Sequence, residues 1–428
     1  MVDGLLPIER KERPLQFLFL DLNSYFASVE QQEQPKLRGR PVAVVPVDVD
    51  TSFVIAASYQ AKAFGIKTGT MIREAKERCP EIAIVKARPQ VYLAYHKRVI
   101  DVAESVLPID DVCSIDEMRF RLLGTERTPK VAEEIGREMK RAIRAGVGSE
   151  MSCSVGIAPN AFLAKVGTEL QKPDGLVIIR ADDLPHCLHP LKLTDFPGIN
   201  KRMAARLNAA GIFSSEQMCA ASRPDLHHAF GSIVGERWWY LLRGFDLGID
   251  VHDRKTLGHS HVLPPNLRNE KGAFEVLLRL LQKASARLRA TDLWATAMAV
   301  SVKGYRRSWQ AKVRMPATQD TVTMNEHLAE LWADHDFDMP RLVAVTFYEL
   351  RSEAEFTPSL FTPTKDRAKL SHAVDTVNKK FGKHKVFLAG MEKVRHTADE
   401  KIAFNKTWLF SEGKGDNEWV DTFRGARD

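Results

Sequence analysis

Residues 17–30 read FLFLDLNSYFASVE. The unbroken apolar run before Asp21 predicts a strand buried on both faces, and the lettering after it predicts a helix with Tyr25, Phe26 and Val29 on one side. Asp21 stands between them. A carboxylate at the end of a buried strand is desolvated, so it must be neutralised, paired or bound to metal. Whatever this chain folds into, Asp21 needs a partner.

Further alternation follows. PVAVVPV (residues 41–47) and FVIAAS (residues 53–58) predict strands, and Gly65 and Gly69 break any helix in YQAKAFGIKTG. RVIDVAESVLP predicts a helix stopped by Pro108, and CSIDEMRFRLL (residues 113–123) predicts one strand that carries Asp116 and Glu117 side by side. Thr128 and Pro129 open a helix whose apolar face is Val131, Ile135, Met139, Ala142 and Ile143. SCSVGIA (residues 152–158) is a further strand, feeding a helix over residues 161–170. The pattern is an α+β domain over about the first 180 residues. After Ile179 the chain turns helical, and DFPGINKRMAARLNAAGIFS (residues 195–214) reads as a short helix, a Gly-containing turn and a second helix. DVHDRK (residues 250–255) is polar and pattern-free, a linker. Beyond it, a helix around Phe274, Leu277, Leu278 and Leu281 precedes three alternating runs, ATAMAVSVKGY, WQAKVRMP and RLVAVTFYEL, which make a small α/β module. The tail from Arg351 holds one amphipathic helix (Leu370, Ala373, Val374, Val377, Phe381) closed by Gly382.

At 428 residues and 44% hydrophobic content, the chain can build several packed cores. A net charge of +7 permits a polyanionic partner. The five cysteines (Cys79, Cys113, Cys153, Cys187, Cys219) are scattered, with no CxxC pair, so they read as reduced thiols rather than a disulfide or zinc framework. The charged N-terminus is unlike a signal peptide and no run approaches a membrane span, which leads us to expect a cytoplasmic protein with no membrane partner.

Asp21, Asp116 and Glu117 all belong to strands of the first domain and could meet on one sheet. Three clustered carboxylates repel, and divalent cations remove that penalty. Mg²⁺ takes oxygen ligands at about 2.0–2.1 Å. A pair of such ions about 3.5–4 Å apart activates a hydroxyl and stabilises a leaving oxygen. Taken singly, Asp21 reads as a strand-end cap and the acidic pair as a solvated edge.

DLNSYFASVE, SIDE, SVGIAPNAFLAK and QKPDG, in this order, resemble the signature blocks of Y-family (translesion) DNA polymerases. The match spans roughly residues 15–350 and includes PGIN, which resembles a helix-hairpin-helix turn. The resemblance implies an α+β multidomain, right-hand architecture: a palm (1–24 and 88–179), small fingers (25–87), a helical thumb (180–246), a linker (247–255), an α/β little finger (256–352) and a C-terminal tail (353–428). It implies Asp21, Asp116 and Glu117 as the catalytic metal ligands, joined by the Leu22 carbonyl, around two Mg²⁺ ions for which Mn²⁺ substitutes. For the incoming dNTP it implies Ser24, Tyr25 and Phe26 at the helix start, with Phe26 as the steric gate against a 2′-hydroxyl. Ile55 would roof the nascent base pair, and Tyr59, Lys62 and Lys172 would clamp the triphosphate. For primer–template DNA it implies Gly198 and Asn200 in the thumb turn, Asn200 tolerating left-handed geometry where a second glycine is usual. In the little finger, Lys312 and Arg314 alternate with apolar residues and so share one sheet face, near Lys303, Arg306 and Arg307, that could cover DNA phosphates.

Three departures stand out: Asn23 for a second acid, Lys62 for a frequent arginine, and Arg121 for a frequent aspartate. Asn23, Lys62 and the tail block AVDTVNKKFGKHKVFLAG are similar to the bacterial polymerase V catalytic subunit branch, which implies SOS accessory subunits and work at the nucleoid. FTPSLF, from Phe356 through Leu360 and Phe361, resembles a sliding-clamp-binding peptide that lacks the usual glutamine. The implied activity is low-fidelity, damage-bypassing, template-directed DNA synthesis. The alternatives are a non-catalytic DNA-binding homologue and a palm-type nucleotide cyclase.

Overall fold

The computed structural model describes residues 13–248, 256–352, 364–382 and 385–397. The linker DVHDRK and the FTPSLF peptide lie outside the described residues. The chain divides into two compact units at Ile249 and Asp250, the second running to Lys401.

The first unit begins with β1 (Phe17–Leu22) and α1 (Tyr25–Glu33), then β2 (Val42–Val45), β3 (Ala56–Ala57), α2 (Tyr59–Lys62), α3 (Ile72–Arg78) and β4 (Ala83–Lys86). After these come α4 (Pro89–Val106), β5 (Ile109–Val112), β6 (Glu117–Arg121), α5 (Pro129–Gly146), β7 (Cys153–Ala158), α6 (Ala161–Leu170) and β8 (Leu176–Ile178). β1 is the middle strand of a five-stranded sheet ordered β5-β6-β1-β7-β8, antiparallel except for the β7–β8 pair. Its side chains alternate between two cores. Leu18, Leu20 and Leu22 pack with Met118, Phe120, Tyr92, Val99, Met139 and Ile143 beneath α4 and α5. Phe17 and Phe19 pack instead with Leu163, Ala164 and Val166 of α6. Period two therefore delivers Asp21 to the α6 side.

Contact between α6 and the sheet is unusually close because of Gly156 on β7. A Cβ at that position would stand 2.0 Å from the Ala164 carbonyl oxygen. The helix thereby brings its polar edge down to the end of β1.

Two expected strands differ. FVIAAS contributes only the two-residue β3 beside β2, because Val54 N–H turns away to the Thr70 carbonyl and Phe53 bridges Met71. CSIDEMRFRLL is not one strand: residues 113–116 form the bend of the β5–β6 hairpin, and the strand starts at Glu117. The bend matters chemically, since adjacent acids within a strand would point to opposite faces.

A helical segment follows, with α7 (Lys201–Ala209), α8 (Ser215–Ala220), α9 (Arg223–Phe230) and α10 (Ile233–Leu241). Trp238 is its core, buried against Phe162, Phe196 and Phe230, and is not a surface platform. Phe162 belongs to α6, so this core is continuous with that of the sheet.

The second unit has β9 (Thr256–Val262), α11 (Glu270–Ala290), β10 (Leu293–Gly304), β11 (Ser308–Thr318), α12 (Thr321–Ala333), β12 (Pro340–Ser352) and α13 (Thr364–Phe381). Its antiparallel sheet, ordered β11-β10-β12-β9, buries one face against α11 and α12. The tail helix α13 is tied to this unit: the buried Arg289 of α11 forks onto Asp375 at 2.6 and 2.9 Å, and Ser371 donates to Asp320 at 3.1 Å.

Gly156→Ala is expected to force α6 off the sheet at a cost of about 1–3 kcal/mol. Thermal unfolding checks it: the transition of the variant falls by several degrees.

Candidate active site

Asp21 and Glu117 are direct cross-strand partners at the end of β1 and β6. Asp116, one residue earlier in the bend, accepts the Leu22 N–H on its backbone oxygen at 2.8 Å and the Ser114 hydroxyl on its side chain at 2.6 Å. The three acids are thus brought to one end of one sheet. The nearest charged partners of Asp21 and Glu117 are lysines. Lys165 of α6 contacts Asp21 and lies 3.0 Å from both Glu117 and Glu169. Lys172 lies 3.0 Å from Asp21 and 2.7 Å from Glu169. Among the described residues no three acidic, histidine or cysteine side chains form a ready-made metal cage. The donor set nonetheless suits a hard divalent cation: carboxylate oxygens from two paired strands already share a single cationic centre, the Lys165 ammonium.

The electrostatics fit that chemistry. Burial pushes the Asp116 carboxyl up to about 6, with Asp21 and Glu117 adding like-charge repulsion. Burial likewise holds the Tyr59 hydroxyl up at about 12, with Asp21 and Glu169 adding to it. Burial, then the neighbouring Lys172, lowers Lys62 from the usual lysine range. Tyr59, Lys62 and Lys172 therefore sit in one field with Asp21. The Lys62 ammonium also lies 4.1 Å over the Tyr59 ring.

Ser24, between β1 and α1, has φ 49, a left-handed conformation rare outside glycine, and its buried hydroxyl has no partner. It does not cap α1, so the first-turn amides of that helix have no side-chain acceptor from Ser24. Backbone strain and an orphaned polar atom thus coincide at the start of α1. Tyr25 and Phe26 are buried in the first turn, and Phe26 stacks on Tyr92. Ile55 is half-buried at the rim of the same core.

Asn23 explains its own departure from the acidic pattern. Its amide donates to Ser154 at 3.0 Å, while its carbonyl accepts Ser152 at 3.2 Å and the Asp174 N–H at 2.8 Å. A carboxylate could not donate to Ser154. Asn23 thus fastens the QKPDG turn, and with it Lys172, to the end of β1.

A cleft of about 810 Å³ runs from Glu117, Lys165 and Glu169 to the turn at Gly198 and Asn200. Gly198 has the positive φ (99) expected of the turn. Asn200 does not: its φ of −86 is extended, and it serves as the N-cap of α7, accepting the N–H groups of Arg202 and Met203 at 3.0 and 2.9 Å. The left-handed expectation for Asn200 is corrected, because capping, not turn geometry, is what an asparagine before a helix satisfies.

In the second unit Lys312 and Arg314 are exposed on β11 while Trp309, Val313 and Met315 turn inward, as the alternation requires. Lys303, Arg306 and Arg307 are exposed nearby in the β10–β11 hairpin. Two of these cations already have acidic neighbours, Arg314 with Glu349 at 2.9 Å and Arg307 with Asp336 at 2.9 Å.

Lys165 and Glu169 were not singled out from the sequence. The available signal was their i,i+4 spacing on the helix of SVGIAPNAFLAK, which places both on one edge.

The chain matches the impB/mucB/samB family over residues 20–169, that family's C-terminal domain over residues 254–360 and its HHH motif over residues 181–212. It is 32% identical over 384 residues to a DNA polymerase IV of Moorella thermoacetica, covering 87% of this chain and 95% of that one. With DNA polymerase IV 1 of Bacillus subtilis it shares 27% identity over 414 residues, 92% and 97% of the two chains. Among solved structures it resembles a Y-family DNA polymerase chimera built on Dbh, with a TM-score of 0.65 and 23% identity, and an insertion ternary complex of Dbh DNA polymerase, with a TM-score of 0.56 and 22% identity. Each likeness covers 79% of this chain and the whole of the other, and shows a shared fold.

The raised Asp116 carboxyl makes the folded, metal-free protein bind more protons than the unfolded chain between its ordinary value of 3.8 and about 6. Stability therefore falls as pH rises through that window. In chelator, the thermal transition of Asp116→Asn is expected to match wild type near pH 4, to gain on it up to about pH 6, and to hold a constant lead above.

Proposed function

The chain belongs to the impB/mucB/samB family of Y-family polymerases and is a DNA-directed DNA polymerase of the translesion type; from that premise we propose which of its residues do the work. Polymerases of this family use divalent metal ions. We assign the ligands to Asp21, Asp116 and Glu117 with the Leu22 carbonyl, and the ions to two Mg²⁺, with Mn²⁺ as a substitute. When bound, such ions activate the primer 3′-hydroxyl and stabilise the leaving oxygen of an in-line displacement.

The residues of the chain do the rest. Ligand binding would favour the ionised form of Asp116 and so oppose the burial that raises its carboxyl in the metal-free protein. Lys165 and Lys172 leave Asp21 at that point, and Lys172 turns to the triphosphate beside Tyr59 and Lys62. The first-turn amides after Ser24 receive phosphate oxygens, which a helix N-terminus favours. Phe26 closes the space under the sugar, and Ile55 covers the base pair. Primer–template DNA lies along the cleft toward Gly198, where backbone N–H groups meet a phosphate, with Asn200 holding the helix behind them. The exposed cations Lys303, Arg306, Arg307, Lys312 and Arg314 follow the duplex backbone without reading sequence. The observation that carries this reading is the sharing of one cation by Asp21 and Glu117 across the β1–β6 pair.

The domain roles follow: palm over 1–24 and 88–179, fingers over 25–87, thumb over 180–246 and little finger over 256–352, with the 353–428 tail as a partner-contact region. We propose that the Phe356, Leu360 and Phe361 peptide engages a sliding clamp, that SOS accessory subunits assist, and that the enzyme works in the cytoplasm at the nucleoid. Among the described residues no helix is long and apolar enough to cross a membrane. The relatives named above are DNA polymerase IV, not specifically of the polymerase V branch, so the resemblance of Asn23, Lys62 and the tail block to that branch carries no further assignment.

Primer extension tests the assignment. Asp116→Ala is expected to lose at least about 10²–10³-fold in insertion rate. Phe26→Ala is expected to admit ribonucleotides; unchanged sugar discrimination would remove the gate role.

A further inference from the structure

Glu30 is fully buried in α1. An interior carboxylate is costly unless it is paired and hydrogen-bonded, and an apolar residue often serves stability as well. Both its oxygens are engaged. Arg88, the residue before α4, reaches them at 3.0 and 2.6 Å, the Tyr92 hydroxyl donates at 2.7 Å, and the Gln34 amide donates at 2.9 Å. Tyr92 is itself buried, and its ring lies against that of Phe26 with centroids 4.3 Å apart and planes within 14°. The backbone carbonyl of Tyr92 accepts the Tyr25 hydroxyl at 2.6 Å. Phe26 and Glu30 are four residues apart on one helix and share a face. Tyr92 spans both, its ring on the first and its hydroxyl on the second.

We propose that Arg88, Glu30 and Tyr92 form a backstop that fixes the depth of the Phe26 ring, and are positioning residues for sugar selection. The inference rests on the reading of Phe26 as the gate. The requirement is one of distance: a ribonucleotide adds a single oxygen, so the ring has to be held to about 0.5 Å to exclude it. Stacked rings alone slide, because dispersion contact is shallow along the ring plane. A hydroxyl anchored to a buried carboxylate, itself held by a guanidinium fork, removes that freedom.

The test uses the full-length protein with Tyr92→Phe, Glu30→Gln, their combination, and Phe26→Ala as reference. Single-nucleotide insertion with a dNTP and its matching rNTP gives the ratio of kcat/KM values, and thermal unfolding reports the fold. Tyr92→Phe and Glu30→Gln are each expected to lower the dNTP:rNTP ratio about tenfold, with dNTP kcat/KM within about threefold of wild type, the scale of one hydrogen bond to a charged group. The combination should fall little further, since both changes cut the same tether. If Glu30→Gln does not fold, Arg88→Lys, which keeps the charge and loses the fork, takes its place. An unchanged ratio in these variants beside an opened ratio in Phe26→Ala would overturn the backstop and leave the gate standing; a parallel loss for both nucleotides counts the same way. An unchanged ratio in Phe26→Ala would remove gate and backstop together.

Discussion

The neutralisation of Asp21 organises the first unit. Its carboxylate ends a fully buried strand, and two ammonium groups, from Lys165 and Lys172, meet it there. Each reaches it by a specific local device. Gly156 allows α6 to lie on the sheet backbone, which lowers Lys165 to the strand end. Asn23 ties the turn after α6 to β1 and β7, which fixes the approach of Lys172. Glu169 shares both lysines, so the acids and cations form one closed set.

Such a set is poised for exchange. Ammonium groups neutralise carboxylates without meeting the coordination demand of a hard divalent ion, and burial with like charge already holds the Asp116 carboxyl above the usual carboxylate range. Incoming cations would replace lysines with a stronger field and free those lysines for phosphate. Metal loading and triphosphate binding are then linked by the same side chains. The Phe26 layer sits beside this set and is held by a separate network around the fully buried Glu30, so with Phe26 as the proposed gate, sugar selection would be mechanically distinct from charge handling.

Much of this was legible in the letters. The apolar run ending in Asp21, the alternating strands and the helical middle follow from hydrophobic period, and all correspond to elements of the fold. The misreadings have local causes. Adjacent acids in an apolar stretch looked like strand residues, whereas the bend at residues 113–116 is what lets both face one site. FVIAAS has strand propensity throughout, yet its backbone partners change after Val54. Asn200 was read through turn geometry when its position before α7 makes it a cap. The i,i+4 spacing puts Lys165 and Glu169 on one helix edge, but the meeting of that edge with Asp21 and the Arg88–Glu30–Tyr92 chain join distant segments, which no spacing rule reports.

The central claim is that Asp21, Asp116 and Glu117 converge on divalent ions when lysines yield their places. Anomalous scattering from crystals holding Mn²⁺ and a non-hydrolysable dNTP analogue tests it most directly. The account predicts peaks about 2.0–2.2 Å from oxygens of all three carboxylates, with the Lys165 and Lys172 ammonium groups withdrawn from Asp21. Peaks elsewhere, with both lysines still seated on Asp21, would contradict it.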